Sequence, residues 1–462
     1  MSVGMSKGGR AGPAGWPQLP DHLRWLAAQT QRQLAFGRGF PHPDGGSWYL
    51  DEAGRPDTSR PVHTWVTTRM LHVYSVGHLA GIPGCAPLAR QALAGLTGRL
   101  HDDVHGGWFA SVGPEGQRDD TKAAYPHVFV AFAAASACVA GLPGARALLD
   151  ESLTVLDDHF WEEGPGLHLD SAGGDWSGIS SYRGINANMH AVEALLSAAD
   201  ATSERLWRDR ARRITDRVLT WAADNDWRIP EHFAADWTPL LDHHRDQPAH
   251  PFEPYGATVG HGLEWSRLAL QVAAAGSEDT ASDKGGAAHL VTGAARLFER
   301  AVADGWAADG ADGFVYTTDW CGKPVVRQRM HWVVAEGICA AAALSSVTGD
   351  PAYEVWYRAW WDYAATHLIA DKRFLAARTR PRQPAGEFRL AGPARSLPLL
   401  PCHAAPQVAA GPDRADRDRP GIAALIGTPA SLPSVTQVGH FRGKYPECAI
   451  RCPGQGLRSA AG

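Results

Sequence analysis

Apolar residues recur at spacings of three and four along most of the chain, and Gly, Pro or Asp bounds each such stretch. Because this is the period of an amphipathic helix, the pattern predicts eleven helices, near residues 19–36, 61–80, 86–102, 122–140, 145–160, 186–201, 204–224, 258–275, 286–305, 331–348 and 351–370. Segments rich in Gly, Trp and Asp lie between consecutive helix pairs and have the pattern of short hairpins, at 45–56, 106–117, 166–176, 227–237 and 313–324. Each hairpin follows an odd-numbered helix and leads into an even-numbered one.

The helix pairs repeat about every 60 residues, which is typical of a closed or stacked repeat architecture. Even-numbered helices are the more apolar and Ala-rich, as in residues 129–142 and 333–346, so we expect them to form an inner ring. Odd-numbered helices, such as the Arg-rich stretch 204–217, are expected on the outside. A ring of this kind needs six pairs, and the sequence shows five and a half.

The composition changes near residue 373, where the sixth hairpin is expected. Residues 373–462 contain no Trp, 12 Pro, 12 Arg and five acidic residues, and proline at this density breaks long helices. The sequence therefore predicts a flexible Gly-rich leader over 1–18, a helical barrel domain over 19–372 and an irregular tail over 373–462. The last helix pair is expected to be incomplete.

Composition and charge argue against several classes of protein. The net charge of -5 gives no reason to expect nucleic acid or an anionic membrane as a partner. No stretch approaches 18 uninterrupted apolar residues, and the first residues lack the apolar segment of a signal peptide. The seven cysteines include no C-x-x-C pair, so neither a disulfide framework nor a cysteine zinc site is expected. We predict a cytoplasmic protein and leave its oligomeric state open.

Polar side chains open every even-numbered helix. The pairs are His63 and Arg69, Tyr125 and His127, Asn186 and His190, His261 and Glu264, and His331 and Glu336. Packing alone does not require a polar residue at the start of each of these helices. Since the helices begin at the same end of the ring, the sequence predicts a polar site there.

Two of these pairs suggest specific chemistry. Asn186 and His190 lie four apart on one helical face, and buried polar groups are costly unless they bind something. The alternative is that Asn186 caps the helix and that His190 is a core histidine whose hydrogen bonds are made within the protein. His261 and Glu264 lie three apart, so the carboxylate could orient the imidazole as a general base. The alternative, an exposed intrahelical pair, fits poorly with the apolar residues around it.

Metal binding and glycoside hydrolysis are two alternative functions. His190 to Glu193 and His261 to Glu264 both read His-x-x-Glu, but di-iron bundles use the opposite order, so we expect no metal. A glycosidase needs two carboxylates, and Glu264, Glu336 and Glu193 are available. Histidines nevertheless outnumber carboxylates at these positions. Imidazoles suit the transfer of a carbon-bound proton through an enediol.

Five segments in order, 62–74, 122–130, 183–196, 255–268 and 329–338, resemble the N-acylglucosamine 2-epimerase superfamily over about residues 20–372. The similarity is greatest to its aldose–ketose isomerase branch, which includes mannose and sulfoquinovose isomerases. The resemblance implies an all-α (α/α)6 barrel with short hairpins between helix pairs. It also implies isomerisation of a free monosaccharide by metal-free proton transfer through a cis-enediol, with no cofactor. Interconversion of D-mannose and D-fructose is the favoured reaction.

The resemblance also implies roles for individual residues. His261 would be the proton-transferring base, positioned by Glu264, and His190 would assist ring opening or oxygen protonation. The residues that would hold the sugar hydroxyls are Arg69, Tyr125, Asn186, Trp332 and Glu336. The alternatives are 2-epimerisation of an N-acylglucosamine or neutral sugar, a glycoside hydrolase on a related toroid, and an inactive sugar-binding remnant.

The tail departs from the family pattern. Members carry a second catalytic histidine on the twelfth helix, in a pattern resembling Lys-x-Asp-x-Tyr-His. Residues 373–462 lack this pattern, and the one candidate we select there is His403, in a different context. Our hypothesis is that a shifted reading frame in a GC-rich gene produced the tail, which would leave the activity weak.

Overall fold

The structure is a computed structural model that describes residues 15–51, 53–276, 284–370, 373–374 and 377–378. These residues form eleven α-helices, as the sequence pattern predicted. They are α1 (Pro20–Gly37), α2 (Thr64–Leu79), α3 (Cys85–Leu96), α4 (Ala124–Val139), α5 (Ala145–Val155), α6 (Ile185–Thr202), α7 (Arg205–Asp224), α8 (Val259–Gly276), α9 (Lys284–Gly305), α10 (His331–Thr348) and α11 (Pro351–His367).

Short strands of two or three residues connect the helices. They are β1 (Tyr49–Leu50), β2 (Pro56–Asp57), β3 (Val62–His63), β4 (Ser111–Val112), β5 (Arg118–Asp119), β6 (Lys122–Ala123), β7 (Trp161–Glu162), β8 (Leu167–His168), β9 (Ser171–Ala172), β10 (Arg183–Gly184), β11 (His232–Phe233), β12 (Ala257–Thr258), β13 (Thr317–Thr318), β14 (Pro324–Val326), β15 (Arg329–Met330), β16 (Ile369–Ala370), β17 (Arg373–Phe374) and β18 (Ala377–Arg378).

The strand before each even-numbered helix pairs with a strand of the next repeat. These antiparallel pairs are β3 with β4, β6 with β9, β10 with β11, β12 with β13, and β15 with β18. The first backbone N–H of the helix also donates to the next repeat, as from Ile185 to the Glu231 carbonyl at 3.1 Å and from Val259 to the Tyr316 carbonyl at 3.1 Å. These bonds satisfy donors that a helix start leaves open. They also fix the starts of α2, α4, α6, α8 and α10 beside one another.

Two of the predicted hairpins differ from expectation. The third lies earlier in the chain, because β7 pairs with β8 around a turn at Gly166, whose φ of 72° suits glycine. The sequence analysis had placed this hairpin at 166–176. Its helix to residue 160 is confirmed, because a π-helix over Leu156–Phe160 continues α5. In the fourth, Phe233 forms an isolated bridge with Pro239 while β11 pairs with β10.

Two layers of helices build the core. Neighbouring even-numbered helices pack against each other from α2 through α10, and each packs against the odd-numbered helix that follows it. Most residues of α4 are buried, whereas α7 buries one face and keeps several arginines at the surface. The small side chains of α4 allow close helix packing. This arrangement confirms the predicted inner and outer rings.

Helix α10 is also long and apolar enough to span a membrane, but most of it is buried inside the barrel. The core helix of a soluble protein meets the same criteria, so these properties do not indicate a membrane helix.

Helix α1 closes the outer layer against α11. The rings of Trp25 and Trp361 meet edge to face at 5.1 Å, and the Tyr357 hydroxyl lies 2.8 Å from His22 Nε2. A 3₁₀ helix at Trp16–Gln18, at the end of the predicted leader, joins this contact, since the Trp16 N–H donates to Glu354 Oε1 at 3.1 Å. The first and eleventh helices are therefore neighbours.

The pairing pattern continues past the predicted domain boundary at residue 372. Strand β17 pairs with β16, and β18 pairs with β15 in the way that each earlier repeat pairs with its neighbour. The sixth hairpin is thus present through Arg378. Residues 379–462, which include His403, lie outside the described residues, as do residues 1–14 of the leader.

Candidate active site

Arg69 and Tyr125 form a pair between α2 and α4. Arg69 Nη2 donates to the Tyr125 hydroxyl at 2.6 Å, and the guanidinium lies 4.6 Å from the centre of the Phe129 ring. The Nε and Nη1 atoms of Arg69 are buried without a hydrogen-bond partner among the described residues. A buried guanidinium with unused donors can bind the oxygens of a sugar and stabilise negative charge on them.

His190 lies beside this pair on α6. Its ring centre is 5.4 Å from that of Tyr125, and its Nδ1 lies 3.2 Å from Glu193 Oε2. Burial lowers the pKa of His190 to about 4, so the imidazole is neutral at physiological pH. A neutral imidazole that donates from Nδ1 to a carboxylate keeps Nε2 unprotonated and able to accept a proton.

Arg267 of α8 joins three buried carboxylates. Its Nη2 donates to Glu193 Oε1 at 2.9 Å, its Nε donates to Glu336 Oε2 at 3.1 Å, and Nη2 lies 3.8 Å from Glu264 Oε1. Burial disfavours the charged guanidinium, but the charges of Glu336 and Glu193 outweigh this effect and raise the pKa of Arg267. The Arg267 guanidinium therefore links α6, α8 and α10.

Glu264 is the carboxyl of this group that holds its proton most strongly. Burial raises its pKa well above the usual range, and the negative charges of Glu336 and Glu193 raise it further. A single arginine cannot neutralise three buried carboxylates. These effects favour the neutral form of Glu264, which can donate a hydrogen bond. Its Oε1 atom is buried without a hydrogen-bond partner in the described part of the chain.

His261 contacts a carboxylate that the sequence analysis did not select. Its Nδ1 lies 2.8 Å from Glu231 Oε2, and both side chains are buried. The expectation that Glu264 orients His261 is therefore wrong, because Glu264 turns toward His190 and Arg267. When Nδ1 donates to Glu231, Nε2 of His261 carries the lone pair and is available as a base.

The remaining predicted binding residues lie at the same helix starts. The Trp332 ring is buried, with its centre 5.5 Å from that of His261. Asn186 is half-buried, and its Oδ1 atom has no hydrogen-bond partner among the described residues. Glu336 is fully buried, and its carboxylate accepts a hydrogen bond from Arg267 Nε.

Not every polar residue at a helix start belongs to this group. His127 has both ring nitrogens satisfied by the backbone, with Nδ1 2.7 Å from the Ala123 carbonyl and Nε2 accepting from the Trp108 N–H at 3.2 Å. Burial lowers its pKa to about 3. His127 is a core histidine with a structural role.

A metal is the main alternative for part of this site. His190, Glu193 and Glu264 each present a possible ligand atom within 4.8 Å of the others. The Arg267 guanidinium, however, donates to Glu193 and lies beside Glu264. A fixed positive charge against two of the three ligands disfavours a divalent cation.

The sequence analysis overlooked Glu231 and Arg267. Arg267 stands out as a charged residue inside the apolar helix α8, where burial requires charged partners. Glu231 carried no such signal, because it lies in a loop and only the pairing of β10 with β11 brings it to His261. The sequence feature that could have indicated Glu231 was its position as an acidic residue directly before a buried strand.

Known proteins share both the sequence and the fold. A D-mannose isomerase of Thermobifida fusca is 48% identical over 356 residues, covering 77% of this chain and 86% of that protein. A D-mannose isomerase of Pseudomonas cannabina pv. alisalensis is 43% identical over 355 residues, covering 77% of this chain and 84% of that protein.

A crystal structure of D-mannose isomerase superposes with a TM-score of 0.72 at 27% identity, and the match covers 79% of this chain and 92% of that one. The family model described as N-acylglucosamine 2-epimerase matches residues 45–374, from the first hairpin to the last. The resemblance inferred from five short segments is confirmed, and the chain belongs to the N-acylglucosamine 2-epimerase family.

Proposed function

We propose that this protein interconverts D-mannose and D-fructose by moving a proton between carbons 1 and 2 of the open-chain sugar through a cis-enediol. The observation that carries the proposal is the buried hydrogen bond of 2.8 Å between His261 and Glu231. A carboxylate on Nδ1 holds the imidazole in one tautomer and stabilises its protonated form after it has taken a proton. The D-mannose isomerases at 48% and 43% identity support this choice of substrate.

The other residues have complementary roles in this proposal. His190 is neutral, takes the proton of the anomeric hydroxyl through Nε2 and passes it to the ring oxygen as the bond between carbon 1 and that oxygen breaks, which opens the sugar ring. Arg69 and Tyr125 donate to the oxygens on carbons 1 and 2, where negative charge develops in the enediolate. Trp332 offers an apolar face beside His261, and Asn186 binds a hydroxyl.

Glu264 and Glu336 act through the Arg267 network in this proposal. Glu264 stays protonated and donates a hydrogen bond, whereas Glu336 and Glu193 keep Arg267 in place. No step requires a metal or an organic cofactor. Cytoplasmic location and the lack of a nucleic-acid or membrane partner remain predictions from composition.

This arrangement favours proton transfer over glycoside hydrolysis. A glycosidase needs two carboxyl groups free to flank the scissile bond. Here Glu193 and Glu336 are bonded to Arg267, and Glu231 is bonded to His261. The carboxylates of the site are thus used to hold cations and imidazole in place.

The test is to incubate the purified chain with D-mannose in heavy water and follow the products by NMR. We expect fructose that carries deuterium at carbon 1, because a proton held by His261 exchanges with solvent. The controls are the His261→Ala variant and two alternative substrates, N-acetylglucosamine and nitrophenyl α-mannoside. Formation of glucose alone would instead establish a 2-epimerase, and release of nitrophenol would establish a hydrolase. Fructose without any label would favour a hydride shift, and with it a metal, over the enediol route.

A further inference from the structure

A second cluster of titratable side chains lies outside the active site, in the loop between β11 and β12. His243 Nε2 lies 2.7 Å from Glu253 Oε2, and His244 Nδ1 lies 3.6 Å from the same oxygen. The ring of His250 lies against that of His244, tilted by 34°, with centres 4.1 Å apart. Three imidazoles and a carboxylate thus share one short loop, and the proposed isomerisation uses none of them.

We propose that His243, His244 and Glu253 form a binding site for one divalent transition-metal ion of the Zn²⁺ type. Their candidate ligand atoms all lie within 4.8 Å of one another. Two imidazoles and one carboxylate are a donor set that Zn²⁺ accepts, and three protein ligands leave a fourth position for water. The site is distinct from the proposed catalytic residues.

The distances require only a small movement to accept the ion. Ligand atoms around tetrahedral Zn²⁺ are separated by roughly 3.3 Å, given bonds of about 2.0–2.2 Å. The proton between His243 and Glu253 now holds their atoms at 2.7 Å. Zn²⁺ would replace this proton, which leaves to solvent, and the two side chains would separate by about 0.6 Å.

Hydrogen bonds behind the cluster orient its ligands. The Glu253 carbonyl lies 2.8 Å from His244 Nδ1 and holds this ring beside the Glu253 carboxylate. His232 lies below, with its ring centre 4.5 Å from that of His243, and is fixed by the Tyr182 hydroxyl at 2.7 Å and the Pro254 carbonyl at 3.0 Å. These contacts hold the rings of His243 and His244 in place beside Glu253.

The charge around the loop cluster also differs from that of the active site. Among the described residues, the ion pairs of Glu253 are with His243 and His244, and no guanidinium contacts its carboxylate. The nearby Arg245 pairs with Asp242 at 3.0 Å. The side chains of His243, His244 and Glu253 are 21%, 25% and 32% exposed, which leaves a path for an ion from solvent.

An ion at this position would fasten the loop to the barrel. The loop is already held at its start, where Trp320 Nε1 donates to the Leu241 carbonyl at 2.7 Å, and at its end by His232 and Pro254. The cluster lies between these two anchors. Zn²⁺ would therefore stiffen the loop and stabilise the folded chain, without taking part in proton transfer.

The experiment is a titration of the full chain with Zn²⁺ in competition with a chromophoric chelator. His243→Ala and Glu253→Gln remove a ligand, and His78→Ala removes an exposed imidazole at the end of α2 as the matched control. We expect the two cluster variants to lose one bound Zn²⁺ per chain relative to the parent chain and His78→Ala, or to bind that ion at least about tenfold more weakly. Other histidines and cysteines bind Zn²⁺ equally in all of these proteins, so the difference between variants measures binding at the loop cluster.

Thermal unfolding with and without Zn²⁺ gives a second measurement. We expect the ion to raise the Tm of the parent chain and of His78→Ala by a few degrees, and to leave the Tm of the cluster variants unchanged. Equal binding in all four proteins, or an equal Tm shift, would overturn the proposal. Both measurements are independent of whether the protein isomerises mannose.

Discussion

The imidazole of His261 and the carboxylate of Glu231 are joined by a buried hydrogen bond of 2.8 Å although they lie 30 positions apart in the chain. Glu231 directly precedes β11, and its backbone carbonyl accepts from the Ile185 N–H at the start of α6 at 3.1 Å. The helix start that carries His190 therefore also fixes the carboxylate that orients His261. This relationship leads to the first prediction.

Replacing Glu231 with Gln should lower kcat by about 100-fold with little change in KM. The amide keeps the size of the side chain but removes the charge that stabilises protonated His261. Steady-state kinetics with D-mannose, together with circular dichroism to confirm folding, measures the effect. A Glu231→Gln variant with more than half of the parent kcat would show that the pair has no role in turnover.

Replacing Glu264 with Gln is the matched comparison, with a different expected result. Burial and the charges of Glu336 and Glu193 raise the pKa of Glu264 well above its usual range, which favours its neutral form. A carboxamide is also neutral and also donates, so we expect kcat to fall less than about fivefold. If kcat falls further in Glu264→Gln than in Glu231→Gln, then Glu264 is the residue that acts on His261.

Removal of metal ions should leave the isomerase rate unchanged. Arg267 places a positive charge against two of the three possible ligands in the active site, and the proposed ion in the loop is structural. The measurement is the rate before and after exhaustive dialysis against a chelator. Loss of activity that one divalent ion restores would contradict the proposed proton transfer.

Lys122 and Asp102 form a buried ion pair that should contribute strongly to stability. Lys122 Nζ donates to Asp102 Oδ2 at 2.7 Å and to the Gly106 carbonyl at 2.9 Å, and its side chain is fully buried. Lys122→Met should lower the free energy of unfolding by about 3–5 kcal/mol, because a buried carboxylate loses its counter-charge. Denaturant unfolding measures this change.

An exposed pair serves as the control for Lys122. Arg146 Nε lies 2.8 Å from Asp150 Oδ1, but both side chains are more than half exposed. Arg146→Met should therefore change the free energy of unfolding by less than about 1 kcal/mol. Equal effects of the two substitutions would show that burial does not determine the strength of the Lys122 pair.

The tail provides a further prediction from the sequence. Residues 373–462 lack the histidine pattern that the family carries on its twelfth helix, so the second proton carrier is expected to be missing. Replacing residues 379–462 with the corresponding segment of the Thermobifida fusca relative should raise the mannose isomerase rate by at least about tenfold and increase the Tm. Equal rates in the two proteins would assign the missing role to His403 or to another residue of the chain.

Much of the site was predictable because local patterns specify helices and their starts. Arg69 and Tyr125 were selected as polar residues at the starts of two apolar helices, and the structure brings them to within hydrogen-bond distance. The same rule also selected His127, which the backbone satisfies within the core. A helical pattern places a side chain at the end of a helix, but it does not specify what that side chain contacts.

The sequence by itself determined the eleven helices, their division into inner and outer rings, and the family, because these depend on periodicity and on residues close together in the chain. Only the tertiary structure decided that Glu231 pairs with His261, since that contact depends on the pairing of β10 with β11. Packing also decided that the pKa of Glu264 is raised, because this depends on burial and on the charges of Glu336 and Glu193, which other helices carry. Charge and hydrogen bonding act through space, so their partners become known only when the packing of the helices is known.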